Sequence, residues 1–178
     1  MESYRFNNTG RVTIPFIKRL GSYLWEVPLE QLSSRHNPHL QVSLNRGKIM
    51  LGSANAVYSF EDRYTTFKIA FEHLRPEKKD LKHILVLGFG LGSIPLLLAG
   101  RGFSGKITGV DIDPVVFELA QRYITFPDRL NLTGYAVDAA EFVAQATNTY
   151  DLICVDLFLD DQVPDKFEQQ AFLQQLKA

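Results

Sequence analysis

One stretch constrains this chain more than any other: Ile84-Leu85-Val86-Leu87-Gly88-Phe89-Gly90-Leu91-Gly92-Ser93. Four apolar residues in a row are the pattern of a strand buried on both faces, as in a parallel sheet. Glycines at 88, 90 and 92 then let the backbone approach a ligand closely, and Ser93-Ile94-Pro95 opens a helix. Strand, glycine turn and helix N-terminus together predict the nucleotide-handling corner of a doubly wound α/β sheet. A tight strand-to-helix turn without a ligand would use the same glycines, so the order of the residues that follow decides.

Downstream the chain alternates strand and helix. Lys106 to Val110 reads as a second strand ending at Asp111-Ile112-Asp113, and Pro114 starts a helix with Asp113 as its N-cap. Leu132 to Val137 reads as a third strand, followed by Asp138-Ala139-Ala140-Glu141, a capping-box spacing that leads into a helix through Phe142 and Val143. Tyr150 to Val155 is the fourth strand and runs into Asp156, and a helix from Pro164 to about Lys177 closes the sequence. Such alternation implies parallel strands joined by right-handed crossovers. Leu152 to Val155 is apolar on both faces with no later strand to pair with it, so further C-terminal strands, or a partner, are expected to cover that edge.

Upstream the pattern differs. Arg11 to Leu32 mixes β-formers with breakers at Pro15, Gly21 and Pro28, which suits short strands or a partly ordered arm. Leu40, Val42 and Leu44 alternate with polar residues, Asn45-Arg46-Gly47 turns, and Lys48 to Leu51 returns, a β-hairpin pattern. Residues 1–58 are therefore expected to form a small β-rich N-terminal unit and residues 59–178 a Rossmann-like nucleoside-binding domain. Phe60, Tyr64, Phe67, Phe71 and Leu74 recur at helical spacing and read as a core-facing aromatic stripe. The 178 residues carry a net charge of −1, which gives no reason to expect nucleic acid or an anionic membrane surface. The single cysteine, Cys154, allows no intrachain disulfide, and the N-terminus lacks a signal-peptide core, so a reducing, cytoplasmic setting is expected. His36, His39, His73 and His83 show no metal-ligand spacing, and no metal is expected.

In open α/β sheets ligands bind beyond the carboxyl ends of the strands. By that rule the crevice receives Gly88, Gly90 and Gly92 from the first strand, Asp111 and Asp113 from the second, Asp138 from the third and Asp156 from the fourth, with Asp160 and Asp161 in the next loop. A ring of aspartates repels a dinucleotide's pyrophosphate and attracts a sulfonium cation. The expected ligand is thus an S-adenosyl nucleoside, with Asp111 accepting from the ribose hydroxyls and Asp138 and the Ala139 backbone meeting adenine. Two charge-assisted bonds at Asp111 would contribute roughly 1.5–3 kcal/mol each. Simpler roles stand beside these: Asp113 as a helix cap, Asp138 as a cap only, Asp160 and Asp161 as solvated loop charges. A dinucleotide oxidoreductase is the reading the aspartates favour least.

From about residue 40 to 175 the chain resembles the spermidine synthase family of aminopropyltransferases. The resemblance rests on the hairpin, the helix after Phe60, Leu87-Gly88-x-Gly90-x-Gly92, Val110-Asp111-Ile112-Asp113, Val137-Asp138-Ala139 and Tyr150 to Asp156. It implies a small β domain before a Rossmann-like domain of the S-adenosylmethionine-dependent methyltransferase type. It also implies a donor that is S-adenosylmethionine or its decarboxylated form, and an amine acceptor. Asp111 then matches the ribose-binding acid, Asp138 the adenine-binding one, and Asp156 the catalytic acid that orients and helps deprotonate the attacking amine. The chain departs from the pattern at Leu91, where the family has an amine-holding aspartate. It departs again at Phe67-Lys68-Ile69, where the family has Tyr-Gln-Glu, and at Leu157-Phe158-Leu159, where a polar loop is usual. Two outcomes follow as expectations: a transferase moving an aminopropyl or methyl group to a small amine, or a catalytically reduced homologue that binds the nucleoside or a partner. Self-association into a homo-oligomer is compatible with either.

Overall fold

A computed structural model describes residues 2–160 and 162–176; Asp161 and Lys177, both read above, lie outside the described residues. The chain opens with strand β1 (Glu2–Arg5) and a short helix α1 (Phe16–Gly21). Four strands follow, β2 (Val27–Leu32), β3 (Leu40–Asn45), β4 (Lys48–Gly52) and β5 (Val57–Ser59), which form an antiparallel sheet in that order. The hairpin at 40–52 is present, with Asn45 opposite Lys48 across the Arg46-Gly47 turn. Both turn residues have positive φ, 48° and 78°, which suits the right-handed twist of the flanking strands.

The segment from 11 to 32 forms an expected short strand only at β2; before it stands a helix. Pro15 and Gly21, read there as interruptions of β structure, instead bracket α1, because Pro15 sits at its N-cap with an extended backbone. Pro28 lies in β2 at a register shift, where a missing N–H does least harm. β1 does not join the small sheet. It pairs antiparallel with β8 (Asn131–Ala136) at the edge of the large one, and Tyr4 stacks on Phe117 at 4.9 Å. The expected boundary near residue 58 thus separates one sheet from the other only from β2 onward.

After β5 come a 3-10 turn (Glu61–Arg63) and helix α2 (Thr65–Leu74). The large sheet then takes β6 (His83–Leu87), helix α3 (Ser93–Gly100), β7 (Lys106–Asp111), helix α4 (Pro114–Tyr123), β8, helix α5 (Ala139–Gln145) and β9 (Leu152–Val155). Strand order is β1-β8-β7-β6-β9, with β6 to β9 parallel, so the doubly wound α/β sheet is present. Among the described residues β9 is the outer strand on its side. The expected helix from Pro164 is a 3-10 turn (Asp165–Phe167) followed by α6 (Gln170–Gln175).

Strand β6 is sealed on both faces, as its apolar run predicts. Ile84 and Val86 enter a core shared with the small sheet, α3 and α4, while Leu85 and Leu87 enter a second core with α5 and α6. Burying each such side chain contributes about 1.5–3 kcal/mol, so the strand fixes both layers at once. Helix α3 buries Ile94, Leu97, Leu98 and Ala99, as a helix between two sheets must. Its first residue, Ser93, is buried, accepts from the Phe60 N–H at 2.8 Å and bonds the Ser59 hydroxyl at 2.7 Å. That clasp sets the small sheet over the crevice. No helix among the described residues is long and apolar enough to cross a membrane.

Candidate functional site

The carboxyl ends of the parallel strands open into a cavity of about 430 Å³. Its lining includes Gly88 and Gly90 after β6, Asp111 and Asp113 after β7, Asp138 and Ala139 after β8, and Asp156 after β9. Six of the seven residues expected at the site therefore meet in one hollow: Gly88, Gly90, Asp111, Asp138, Ala139 and Asp156.

Gly92 is the exception. It is buried with φ of 85°, and a Cβ there would stand 2.6 Å from the Phe126 ring. This glycine is not part of the hollow's lining, and its missing side chain leaves room for the Phe126 ring behind the turn. Gly88, also at φ of 85°, has its open side against the backbone carbonyl of Asp156. Its lack of a side chain thus lets β9 deliver Asp156 beside the turn. The turn is further pinned to β7, because the Gly88 and Phe89 N–H groups both donate to the Val110 carbonyl, at 2.8 and 3.0 Å.

The aspartates do not form a uniform rim. Asp113 accepts from Val115 N–H at 3.1 Å, capping α4, and its second oxygen accepts from Ser34 Oγ. Asp138 accepts from Ala140 N–H at 2.9 Å, capping α5, and pairs with Lys166. Burial would raise the Asp138 carboxyl, but the Lys166 and backbone hydrogen bonds outweigh it and hold it below the ordinary value. Asp160 is occupied elsewhere, accepting from Ser53 Oγ at 2.6 Å and from the Asn55 backbone N–H at 3.1 Å, which ties the loop after β9 to the β4–β5 turn. Arg35 and Lys166 also line the hollow, so its walls carry cations as well as acids.

Two carboxyls remain for a ligand. Asp111 accepts from Gly90 N–H at 3.0 Å and Asp113 N–H at 3.1 Å, yet desolvation still raises it to about 6. Asp156 is likewise raised to about 6, first by desolvation and then by the charge of Asp111, against a lowering hydrogen bond from Tyr64. A pair of carboxyls that resist ionisation in one hollow is a site where a cation would relieve the strain of charging them.

Tyr64 is the residue that sequence reasoning missed. Its hydroxyl donates to Asp156 Oδ1 at 3.1 Å, and burial followed by that carboxylate's charge pushes the phenol up. Helical spacing from Phe60 assigned it to a core stripe. The helix starts only at Thr65, with Tyr64 as its N-cap; the ring still stacks on Phe67 at 6.3 Å, as the stripe predicts, while the hydroxyl reaches Asp156. Leu91, by contrast, is 1% exposed and packs into the core, away from the hollow.

Comparison with known proteins bears on the fold. No protein-family model matches the chain. A polyamine aminopropyltransferase of Vibrio vulnificus is 32% identical over 99 residues, covering 54% of this chain and 33% of that protein. The eEF1A lysine and N-terminal methyltransferase of Mus musculus is 29% identical over 105 residues, covering 53% of this chain and 15% of that one. The crystal structure of spermidine synthase from Thermotoga maritima superposes with a TM-score of 0.62 at 17% identity, over 85% of this chain and 53% of that one. The fold is spermidine-synthase-like. Its larger sheet is Rossmann-like, and the chain spans about a third or less of the length of these two curated relatives.

Proposed function

We propose that the hollow binds an S-adenosyl donor and that the chain transfers a group from its sulfonium to an amine. The observation that carries this is the pair of raised carboxyls, Asp111 and Asp156, in a cavity whose other aspartates are already engaged. Asp111, held by two backbone N–H groups, is oriented to accept from the ribose hydroxyls. Asp138 keeps its cap and its lysine while its edge, with Ala139, meets adenine. Both relatives' names describe transferases, and the resemblance on residues 87–113 and 137–156 supports the same donor.

Attack is in-line: the acceptor nitrogen forms a bond to the carbon on sulfur, the carbon–sulfur bond breaks, and a neutral thioether leaves. The leaving group is already good, so positioning and electrostatics supply most of the catalysis. Asp156, with a proton affinity near neutrality, orients the amine and takes its proton, and Tyr64 holds the carboxylate in place. Leu91 offers no carboxylate to the primary ammonium that both donors carry, so methyl and aminopropyl transfer stand as equal readings of this site.

Calorimetric titration with S-adenosylmethionine, decarboxylated S-adenosylmethionine and NAD(H) tests the reading. Uptake of the first with transfer to an amine panel is the expected result. Uptake without transfer on any amine would favour a nucleoside-binding homologue, and preference for NAD(H) would end the transferase reading.

A further inference from the structure

A second cavity, about 470 Å³, adjoins the first and shares Tyr58, Tyr64 and Phe158 with it. Its remaining walls are Ala56, Val57, Phe60, Arg63, Thr65 and Thr66. We propose that this groove holds the body of the acceptor, and that the acceptor is an amine carried on an aromatic or apolar group rather than a polycation. The assignment rests on the donor reading above and adds the acceptor's chemistry to it.

Position argues first. Tyr64 forms part of both walls and its hydroxyl touches Asp156, so a molecule seated in the groove presents one end to the carboxyl that would take its proton. Composition argues second. Among the described residues the groove's lining has four aromatic rings and a single charged side chain, Arg63, and it contains no carboxylate. A second ammonium on the acceptor would be desolvated against rings and an arginine with no counter-ion. An aromatic body instead finds stacking partners, and Val57 and Phe158 stand 47% and 48% exposed, leaving apolar surface for it to cover. The loop carrying Phe158 is not loose, because Asp160 N–H donates to Tyr58 Oη at 2.6 Å and the Asp160 carboxylate holds Ser53 and Asn55. The ring is therefore a fixed wall between the two cavities.

Calorimetry on the full chain, free and saturated with S-adenosylhomocysteine, tests this with phenethylamine as the aromatic monoamine and putrescine as the dication. Phenethylamine should bind more tightly than putrescine by about tenfold or more. Thr66→Trp, on the exposed first turn of α2, fills the groove and should lower phenethylamine affinity by about the same factor while leaving the nucleoside's unchanged. Val57→Trp serves as a second block should the first variant misfold by circular dichroism. Arg63→Asp should narrow or invert the preference by admitting the dication. Equal or tighter putrescine binding, or blocked variants that keep full phenethylamine affinity, would overturn the assignment. Phenethylamine uptake by a chain that ignores the nucleoside would uphold the groove and remove the donor reading; nucleoside uptake with preference for putrescine would do the reverse.

Discussion

Asp111 and Asp138 are the same side chain at matching places, just beyond the carboxyl ends of neighbouring parallel strands, yet their proton affinities move in opposite directions. Asp138 has a lysine and two helix N–H groups and is held below the ordinary value. Asp111 has two N–H groups and no cation among its recorded partners, and its burial lifts it to about 6. Place in the fold brings a carboxylate to the crevice, whereas the partners it already has decide whether it is left for a ligand. By that criterion we propose Asp111 and Asp156 as the working acids, while Asp113 and Asp138 cap helices.

Substitutions that separate the two groups sharpen the contrast. The largest effect is expected on rate. Asp156→Ala should lower turnover by about 10²–10⁴ with nucleoside affinity little changed, as removal of a proton acceptor does, read by single-turnover transfer. Asp111→Ala should instead lower nucleoside affinity, by roughly 1.5–3 kcal/mol or about ten- to a hundredfold, measured by calorimetry. Equal losses of affinity in both would break the division of roles. Asp138→Ala should act mainly on stability, costing about 1 kcal/mol through the lost cap, read in a urea melt. The same carboxyl gives its stability above the ordinary pKa of 3.8 and loses it as pH falls through its depressed value, so the variant should differ least from the parent in acid. Lys166→Ala should be the smallest change, about 0.5 kcal/mol or less, because that lysine is half exposed. An Asp138 variant as damaging to nucleoside binding as Asp111→Ala would show that capping does not remove a carboxylate from the site.

Much of this was legible in the sequence because parallel strands leave a strong trace. The apolar run at Ile84–Leu87 and the acid after each later strand located the crevice and four of its carboxylates. What they could not carry was the partner of each acid. Lys166 lies 28 residues beyond Asp138 and Ser34 lies 79 before Asp113, so neither neutralising contact has a local signature. Tyr64 was hidden for another reason: its ring does belong with the stripe that periodicity predicts, and only its hydroxyl reaches Asp156. Gly92 shows the converse, since three glycines in a turn look alike until Phe126 is seen behind one of them. At α1 the breakers were visible, but the same Pro15 and Gly21 can interrupt a strand or delimit a helix.

Titration with S-adenosylmethionine at pH 7.5 and at pH 5 goes to the centre of the account. Asp111 lies near 6, so at the lower pH it is about nine-tenths protonated and loses the charge with which it would accept from the ribose hydroxyls. Affinity should therefore fall by about tenfold or more on acidification, and Asp111→Asn should remove most of that dependence. Binding of equal strength at the two pH values would contradict the role given to Asp111.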